Sequence, residues 1–237
     1  MKAAPGCYTA ARARDGRVWH LERHVARLAR DAERLGLGPL DRAVVRAELS
    51  ALAAASRDGR DRKLRLAVEP EPGGAAKLVG STALLENDAF AWRVITASHP
   101  GFSATSAVKT TDRTGFEAAL AAAHAAGADE ALLFDAADFL VEGARTSVVV
   151  VLDDGSVATP PLARGAQAGV ARAIACAAVT ELAELDVPRT RLASAREVVA
   201  INAVRGARAI VALEGAPVGG GRPGPWAERL GRLLESG

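Results

Sequence analysis

The sequence predicts an α+β, or mixed α/β, chain in two domains, on three observations. Helical and strand-like periodicities are both present, without the strict strand–helix–strand alternation of a parallel sheet. The 237 residues exceed the usual size of one domain, near ~100 to 150 residues. A stretch of proline, glycine and small polar residues at 98–106 (SHPGFSATS) breaks every periodicity and reads as an interdomain linker. Residues 1–97 are therefore expected to form a small α/β domain, and residues 107–237 a larger one.

Each element has its own warrant. Residues 19–37 (WHLERHVARLARDAERLGL) place Leu21, Val25, Leu28, Ala32 and Leu35 at steps of four and three, with arginines and acids between, which is the spacing of an amphipathic helix. Gly36 to Pro39 stops it. A second, alanine-rich helix is expected over 40–56, ended by the turn SRDGRDR. Three β-rich runs follow at 63–69, 75–85 and 91–97, separated by Pro-Gly-Gly and Glu-Asn-Asp, and antiparallel pairing is their simplest arrangement. Beyond the linker the pattern predicts a helix over 113–126, strands at 131–134, 139–141 and 147–152, and a turn at Asp153-Asp154-Gly155. A long helix over 170–185 and strands at 197–202 and 209–213 complete the prediction, and no fixed-period repeat is visible.

Composition narrows the function. Hydrophobic residues make up 49% and charged residues 24%, an ordinary globular balance. A net charge of +2 gives no surplus with which to bind nucleic acid or an anionic membrane, but leaves a small anionic ligand open. Cys7 and Cys176 lie far apart with no C-x-x-C spacing, so neither a zinc site nor a disulfide framework is expected. No run approaches the ~20 apolar residues of a membrane span, and the first residues lack the apolar core of a signal peptide, which places the protein in the cytoplasm. Against 26 arginines there are four lysines (Lys2, Lys63, Lys77, Lys109), so chemistry that needs a lysine amine has few candidates.

Several signatures are absent: H-E-x-x-H, G-x-S-x-G and G-x-x-x-x-G-K-[ST]. The glycine cluster at 219–224 (GGGRPG) follows no strand-to-helix turn of a βαβ unit, so it does not read as a nucleotide loop. His20 and His24 stand at i, i+4 but have no third ligand nearby, and no metal site is expected.

What stands out is a series of segments in a fixed order: RHVARL (23–28), AVKTTDR (107–113), GADEALLFD (127–135), VEGARTSV (141–148), ATPPL (158–162), GVAR (169–172), REVVAINAVRGARAIVALEG (196–215) and VGGGRPGP (218–225). This series resembles the pyridoxal-phosphate enzymes of fold type IV, the family of branched-chain and D-amino-acid aminotransferases and of 4-amino-4-deoxychorismate lyase. The resemblance runs from about residue 6 to the C-terminus and implies a two-domain fold type IV enzyme. It also implies pyridoxal phosphate held between the domains, and a homodimer.

The resemblance assigns roles residue by residue. Lys109 matches the Schiff-base lysine, which acts as nucleophile and then as proton carrier. Glu142 matches the carboxylate that pairs with the pyridine nitrogen. Arg27 matches the arginine that grips the phosphate with its planar donor fork, although periodicity alone leaves Arg23 and Arg30 open. Val170 and Ala171, at the start of the 170–185 helix, would offer backbone N–H groups to the same phosphate. Arg12 and Arg65 are candidates to clamp a substrate carboxylate, or are exposed strand charges. Asn202 is the third candidate for substrate binding, and its N-A-V-R-G segment resembles the lyases more than the branched-chain aminotransferases. The implied reaction is conversion of 4-amino-4-deoxychorismate to 4-aminobenzoate and pyruvate; transamination of an amino acid, or a degenerate member without catalysis, are the alternatives.

Five departures from the family pattern are visible. The chain begins close to the block GCYTAAR (6–12), whereas the family usually starts about 25 to 30 residues earlier, so a shortened N-terminus is expected. Ala10 stands where the lyases have threonine, Ala171 where many members have a hydroxyl for the phosphate, and Ser147 where asparagine is usual. Ala203 also lacks a hydroxyl. Each loss removes a hydrogen bond of about 1 kcal/mol.

Overall fold

The computed structural model describes residues 5–55, 57–71, 73, 75–101 and 105–236. Among the described residues the chain divides into two compact units, one built from 5–87 with 108–112 and the other from 88–107 with 113–236.

The first unit is a four-stranded antiparallel sheet with two helices on one face. Its elements are β1 (Cys7–Arg14), β2 (Arg17–Val18), α1 (Leu21–Arg34), α2 (Arg42–Ala54), β3 (Arg62–Pro70) and β4 (Ala76–Leu84), and the strand order is β2-β1-β3-β4. The amphipathic pattern read from 19–37 gives α1 its inward stripe of Val25, Leu28 and Ala32, which meets Val45 and Leu49 of α2 and Leu66 and Val68 of β3. Asp41 caps α2 by accepting the Ala43 N–H at 2.7 Å, the usual work of an aspartate at that position. The short segment at 108–112 joins this unit through its backbone: Tyr8 N–H donates to Lys109 O (2.9 Å) and Thr111 N–H to Gly6 O (2.8 Å).

The second unit carries β5 (Ala91–Ser98), α3 (Thr114–Ala125), β6 (Glu130–Phe134), β7 (Leu140–Gly143), β8 (Ser147–Val151) and β9 (Val157–Thr159). After them come α4 (Val170–Ala178), β10 (Leu182–Glu184), α5 (Arg189–Ala193), β11 (Glu197–Asn202), β12 (Gly206–Leu213), β13 (Ala216–Pro217) and α6 (Pro225–Glu235). Its strands form one mixed sheet in the order β10-β9-β8-β11-β12-β5-β6-β7, with β13 paired to β12. The central β11 is covered on both sides. Val198 and Ala200 enter one apolar cluster with Trp92 and Leu132, while Val199 and Ile201 enter another with Ile174 and Leu230.

Three expectations are corrected. The run at 91–97 does not pair antiparallel with its predecessors; β5 lies parallel between β12 and β6, with Trp92 and Val94 buried in the second unit. This moves the division between the units from the 98–106 stretch to residues 87 and 88 and places Lys109 in the first unit rather than in a domain running from 107 to the C-terminus. Of the expected linker, residues 102–104 lie outside the described residues. The helix expected over 170–185 ends at Ala178, because the chain extends at Val179 and residues 182–184 pair in parallel with β9 as the edge strand β10. The last element, α6, had no sequence expectation.

Candidate functional site

In the first unit the site begins with the alternation of β1. Cys7, Thr9, Ala11 and Ala13 point into the core, while Tyr8, Ala10 and Arg12 lie half-buried on the opposite face. Pairing with β3 sets Tyr8 opposite Ala67 and Ala10 opposite Arg65. The Tyr8 ring is then approached by two cations, with Arg65 Cζ 4.6 Å and Lys109 Nζ 5.0 Å from its centroid, within cation–π range. The Lys109 N–H also donates to Asp31 Oδ2 at 3.3 Å, so β1 and α1 together fix the lysine's backbone. Of the other lysines, Lys77 pairs with Glu71 at 3.6 Å, Lys63 is exposed and Lys2 lies outside the described residues.

Tertiary structure separates the three arginines of α1. Arg23 is exposed and Arg30 is spent on Asp31 Oδ1, at 2.9 Å from Nη2. Arg27 alone is buried, donating from Nη2 to Tyr8 O at 3.0 Å, with its Nε 3.6 Å from Asp31 Oδ2 and without a hydrogen-bond partner among the described residues. Burial pulls this guanidinium down from its ordinary pKa, and the neighbouring Asp31 carboxylate opposes the shift.

His24, also on α1, is a core residue, as its lack of metal-ligand company suggests. Its Nδ1 lies 2.7 Å from Thr9 Oγ1 and its side chain is sealed from solvent. Burial first, then the Arg27 charge, pushes its pKa down to about 3 from 6.5. The unfolded chain would take up this proton below pH 6.5, whereas the folded chain resists it until about 3. The stability His24 contributes is therefore complete above 6.5 and is lost as pH falls. Between about pH 7 and pH 5 this amounts to about 2 kcal/mol. A His24→Gln protein, unable to titrate there, should lack that part of the slope in urea denaturation followed across this range; parallel slopes in the two proteins would refute it.

Arg12 is not left open for a substrate. Its guanidinium pairs with Asp61, which also takes Arg14 bidentately (2.9 and 2.7 Å), and lies 5.3 Å from the Trp19 ring. This ties the end of β1 to the start of β3. Cys7 is no nucleophile, since burial and then Asp31 push its thiol up to about 12.

In the second unit, Glu142 sits on β7, all four residues of which are buried. Its Oε2 accepts the Gln167 N–H at 3.2 Å, while Oε1 has no hydrogen-bond partner among the described residues and faces His99 Nε2 at 3.7 Å. The turn after it is tight. Gly143 N–H donates to Thr146 O at 2.8 Å, and a Cβ on Gly143 would lie 2.1 Å from Thr146 Oγ1, so no side chain fits there. Beneath the turn the fully buried Glu130 accepts from Arg145 N (3.4 Å) and Thr146 Oγ1 (3.3 Å), and desolvation raises its pKa.

Val170 and Ala171 open α4, both buried, after Gly169, which caps the helix without a side-chain bond. The first-turn N–H groups have no carbonyl of their own helix to serve, and they carry the positive end of its dipole. Ser147 approaches this end: a Cβ on Gly169 would lie 3.2 Å from its Oγ. Asn202 closes the β11–β12 hairpin, its Oδ1 accepting from Val204 N (3.0 Å) and Arg205 N (2.7 Å) and its Nδ2 donating to Arg145 O (3.4 Å). Its carbonyl oxygen is thus committed to a turn. The glycine cluster proves to be packing: Gly219 and Gly224 lie where a Cβ would strike Arg196 O and the Glu197 carboxylate, and Glu197 Oε1 accepts Ala227 N at 2.7 Å. The start of α6 is served by the protein's own carboxylate.

These residues fit pyridoxal phosphate. In the second unit a buried carboxylate oxygen without a hydrogen-bond partner among the described residues suits a protonated ring nitrogen, and an uncapped helix start suits a phosphate; in the first, one lysine is anchored through its backbone. Sequence reasoning missed Tyr8 and His99. The first could have been found only from strand register, and the second only from the order β5-β6-β7, which brings the end of β5 into the sheet that carries β7.

The sequence profile of the class IV aminotransferases matches residues 6–213, and the chain belongs to that family, whose members are pyridoxal-phosphate-dependent enzymes. Among solved structures it is similar to a fold IV transaminase from Curtobacterium pusillum, with 24% identity and a TM-score of 0.81, covering 98% of this chain and 84% of that one. A hypothetical aminotransferase from Mycobacterium tuberculosis in its PLP-bound form gives 20% identity and 0.83, covering 98% and 88%. A putative 4-amino-4-deoxychorismate lyase from Legionella pneumophila gives 19% and 0.84, covering 98% and 91%. No curated protein sequence matches the chain. Among the described residues no helix is long and apolar enough to cross a membrane.

Proposed function

We propose that the chain converts 4-amino-4-deoxychorismate to 4-aminobenzoate and pyruvate with pyridoxal phosphate as cofactor, acting as a homodimer in the cytoplasm. The observation that carries the chemistry is the placement of Lys109 Nζ and the Arg65 guanidinium about one ring, Tyr8. A nucleophilic amine beside a carboxylate-binding cation is what a small anionic amine substrate requires. The narrower choice of the lyase is supported by the N-A-V-R-G turn headed by Asn202.

When bound, pyridoxal phosphate supplies an aldehyde that condenses with amines and a ring that withdraws electrons. Lys109 supplies the protein's amine, takes a proton from the substrate at Nζ and returns one as the products form. Glu142 Oε1 holds a proton at the ring nitrogen. Arg27 and the N–H groups of Val170 and Ala171 bind phosphate oxygens, with the Ser147 hydroxyl close enough to the helix start to replace the one Ala171 lacks. Arg65 orients a substrate carboxylate. Arg12 and Asn202 act through structure, holding β1 to β3 and closing the β11–β12 turn.

The test is direct. The purified protein with pyridoxal phosphate should show a visible absorbance band, and borohydride reduction should place the label on Lys109. Label spread over Lys2, Lys63 and Lys77, or no band, would overturn the assignment. Release of pyruvate without conversion to the pyridoxamine form supports the lyase; conversion on feeding amino donors, with no pyruvate released from 4-amino-4-deoxychorismate, would replace it by a transaminase.

A further inference from the structure

We propose that His99 is a positioning residue for Glu142, its Nε2–H directed at Oε1 so that the carboxylate is held in one orientation toward its ligand. The inference rests on the reading of Glu142 as the partner of the cofactor ring nitrogen, and it assigns a role to a residue outside the eight family segments.

Three contacts aim the ring. The His99 N–H donates to Phe134 O at 2.8 Å, which holds the residue at the end of β5 against β6. The imidazole packs edge-on to Phe116 of α3, with centroids 5.6 Å apart and planes at 85°. Its Nδ1 accepts the Gly101 N–H at 3.3 Å, which places the ring proton of the neutral form on Nε2. That nitrogen faces Glu142 Oε1 at 3.7 Å. The two side chains are only 3% and 5% exposed.

Nε2 and Oε1 are both without a hydrogen-bond partner among the described residues, and they are complementary as donor and acceptor. Buried polar groups of native proteins are paired in the great majority of cases, so a donor and an acceptor facing each other at this distance form a contact that a small side-chain rotation closes. The other oxygen, Oε2, is fixed by Gln167 N–H. A carboxylate anchored at both oxygens cannot turn, and Oε1 keeps a second lone pair for a ligand. Orientation of a liganding group by an outer hydrogen bond is a general way of tuning a site.

Two measurements on the full chain test this. Without cofactor, the ring-nitrogen resonances of labelled histidine should show His99, identified as the signal lost in His99→Gln, protonated at Nε2; Glu142→Gln should shift that signal and leave those of His20, His24 and His124 in place. A His99 signal that ignores Glu142→Gln overturns the proposal. With cofactor, His99→Phe should weaken pyridoxal phosphate binding about tenfold and move the visible band. His99→Gln, which returns an N–H donor, should recover most of both, and wild-type affinity with an unmoved band in His99→Phe overturns the proposal. The two readings separate cleanly. If Glu142→Gln binds cofactor with unchanged affinity and band, the ring-nitrogen role of Glu142 falls, while a shifted His99 signal still establishes the pair.

Discussion

Replacing Lys109 by alanine should lower turnover by about 10³-fold or more, while the protein stays folded. The two halves of this expectation come from different atoms. The backbone of residue 109 holds its segment in place, through Tyr8 N–H to Lys109 O and Lys109 N–H to Asp31 Oδ2, and alanine keeps both bonds. The side chain ends near the face of Tyr8 rather than in an apolar cluster, so truncation costs little stability, within about 1 kcal/mol. What alanine removes is the amine, and no other described lysine can replace it: Lys77 is engaged with Glu71 and Lys63 is exposed. Pyruvate release measured beside a urea denaturation curve checks both halves. Turnover within tenfold of wild type would sink the assignment of Lys109; a collapsed denaturation midpoint would show that the side chain is structural.

The second large effect is on stability. Asp31→Ala should cost about 3 to 5 kcal/mol, because it removes the counter-ion of a buried guanidinium rather than an exposed charge. Asp31 is buried, takes Arg30 through Oδ1 at 2.9 Å, lies 3.6 Å from Arg27 Nε and accepts the Lys109 N–H. With it gone, Arg27 stays desolvated, and among the described residues its hydrogen-bond partner is Tyr8 O. The Arg46–Glu22 pair is a built-in control: it is shorter, at 2.6 Å, but exposed to water, and Glu22→Ala should leave the denaturation midpoint close to that of the wild type. Urea denaturation of the two variants at neutral pH decides the comparison. Equal losses would mean that the Asp31 cluster does not act as a buried ion group. Since Asp31 touches both Arg27 and Lys109, the surviving folded fraction of Asp31→Ala should also bind pyridoxal phosphate more weakly, by about tenfold.

Much of this site was legible in the residues alone, and the reason is that its parts are local. The H-x-x-R segment lies on one helix, the lysine, glutamate and G-V-A segments each occupy a few consecutive residues, and their order survives any arrangement in space. The choice among Arg23, Arg27 and Arg30 was not legible, since all three lie on one helix and only the packing of α1 on β1 and β3 buries one of them. Arg12 and Asn202 show the same limit from the other side. Their residue types suit substrate recognition, but Asp61, 49 positions away, and the backbone of the β11–β12 turn engage them instead.

The sequence by itself determined the amphipathic α1, the strands β3, β8 and β11, the α+β class and the family, because periods of 3.6 and 2 and short motifs are properties of neighbouring residues. Tertiary structure decided which sheet β5 joins, where α4 gives way to β10, that Lys109 and Arg65 both approach the Tyr8 ring, and that His99 faces Glu142. Each of those depends on which distant strand edge or polar group is available. A β-rich run such as AWRVITAS carries no mark of its partner, and an imidazole or guanidinium meets its counterpart only after the chain has closed around both.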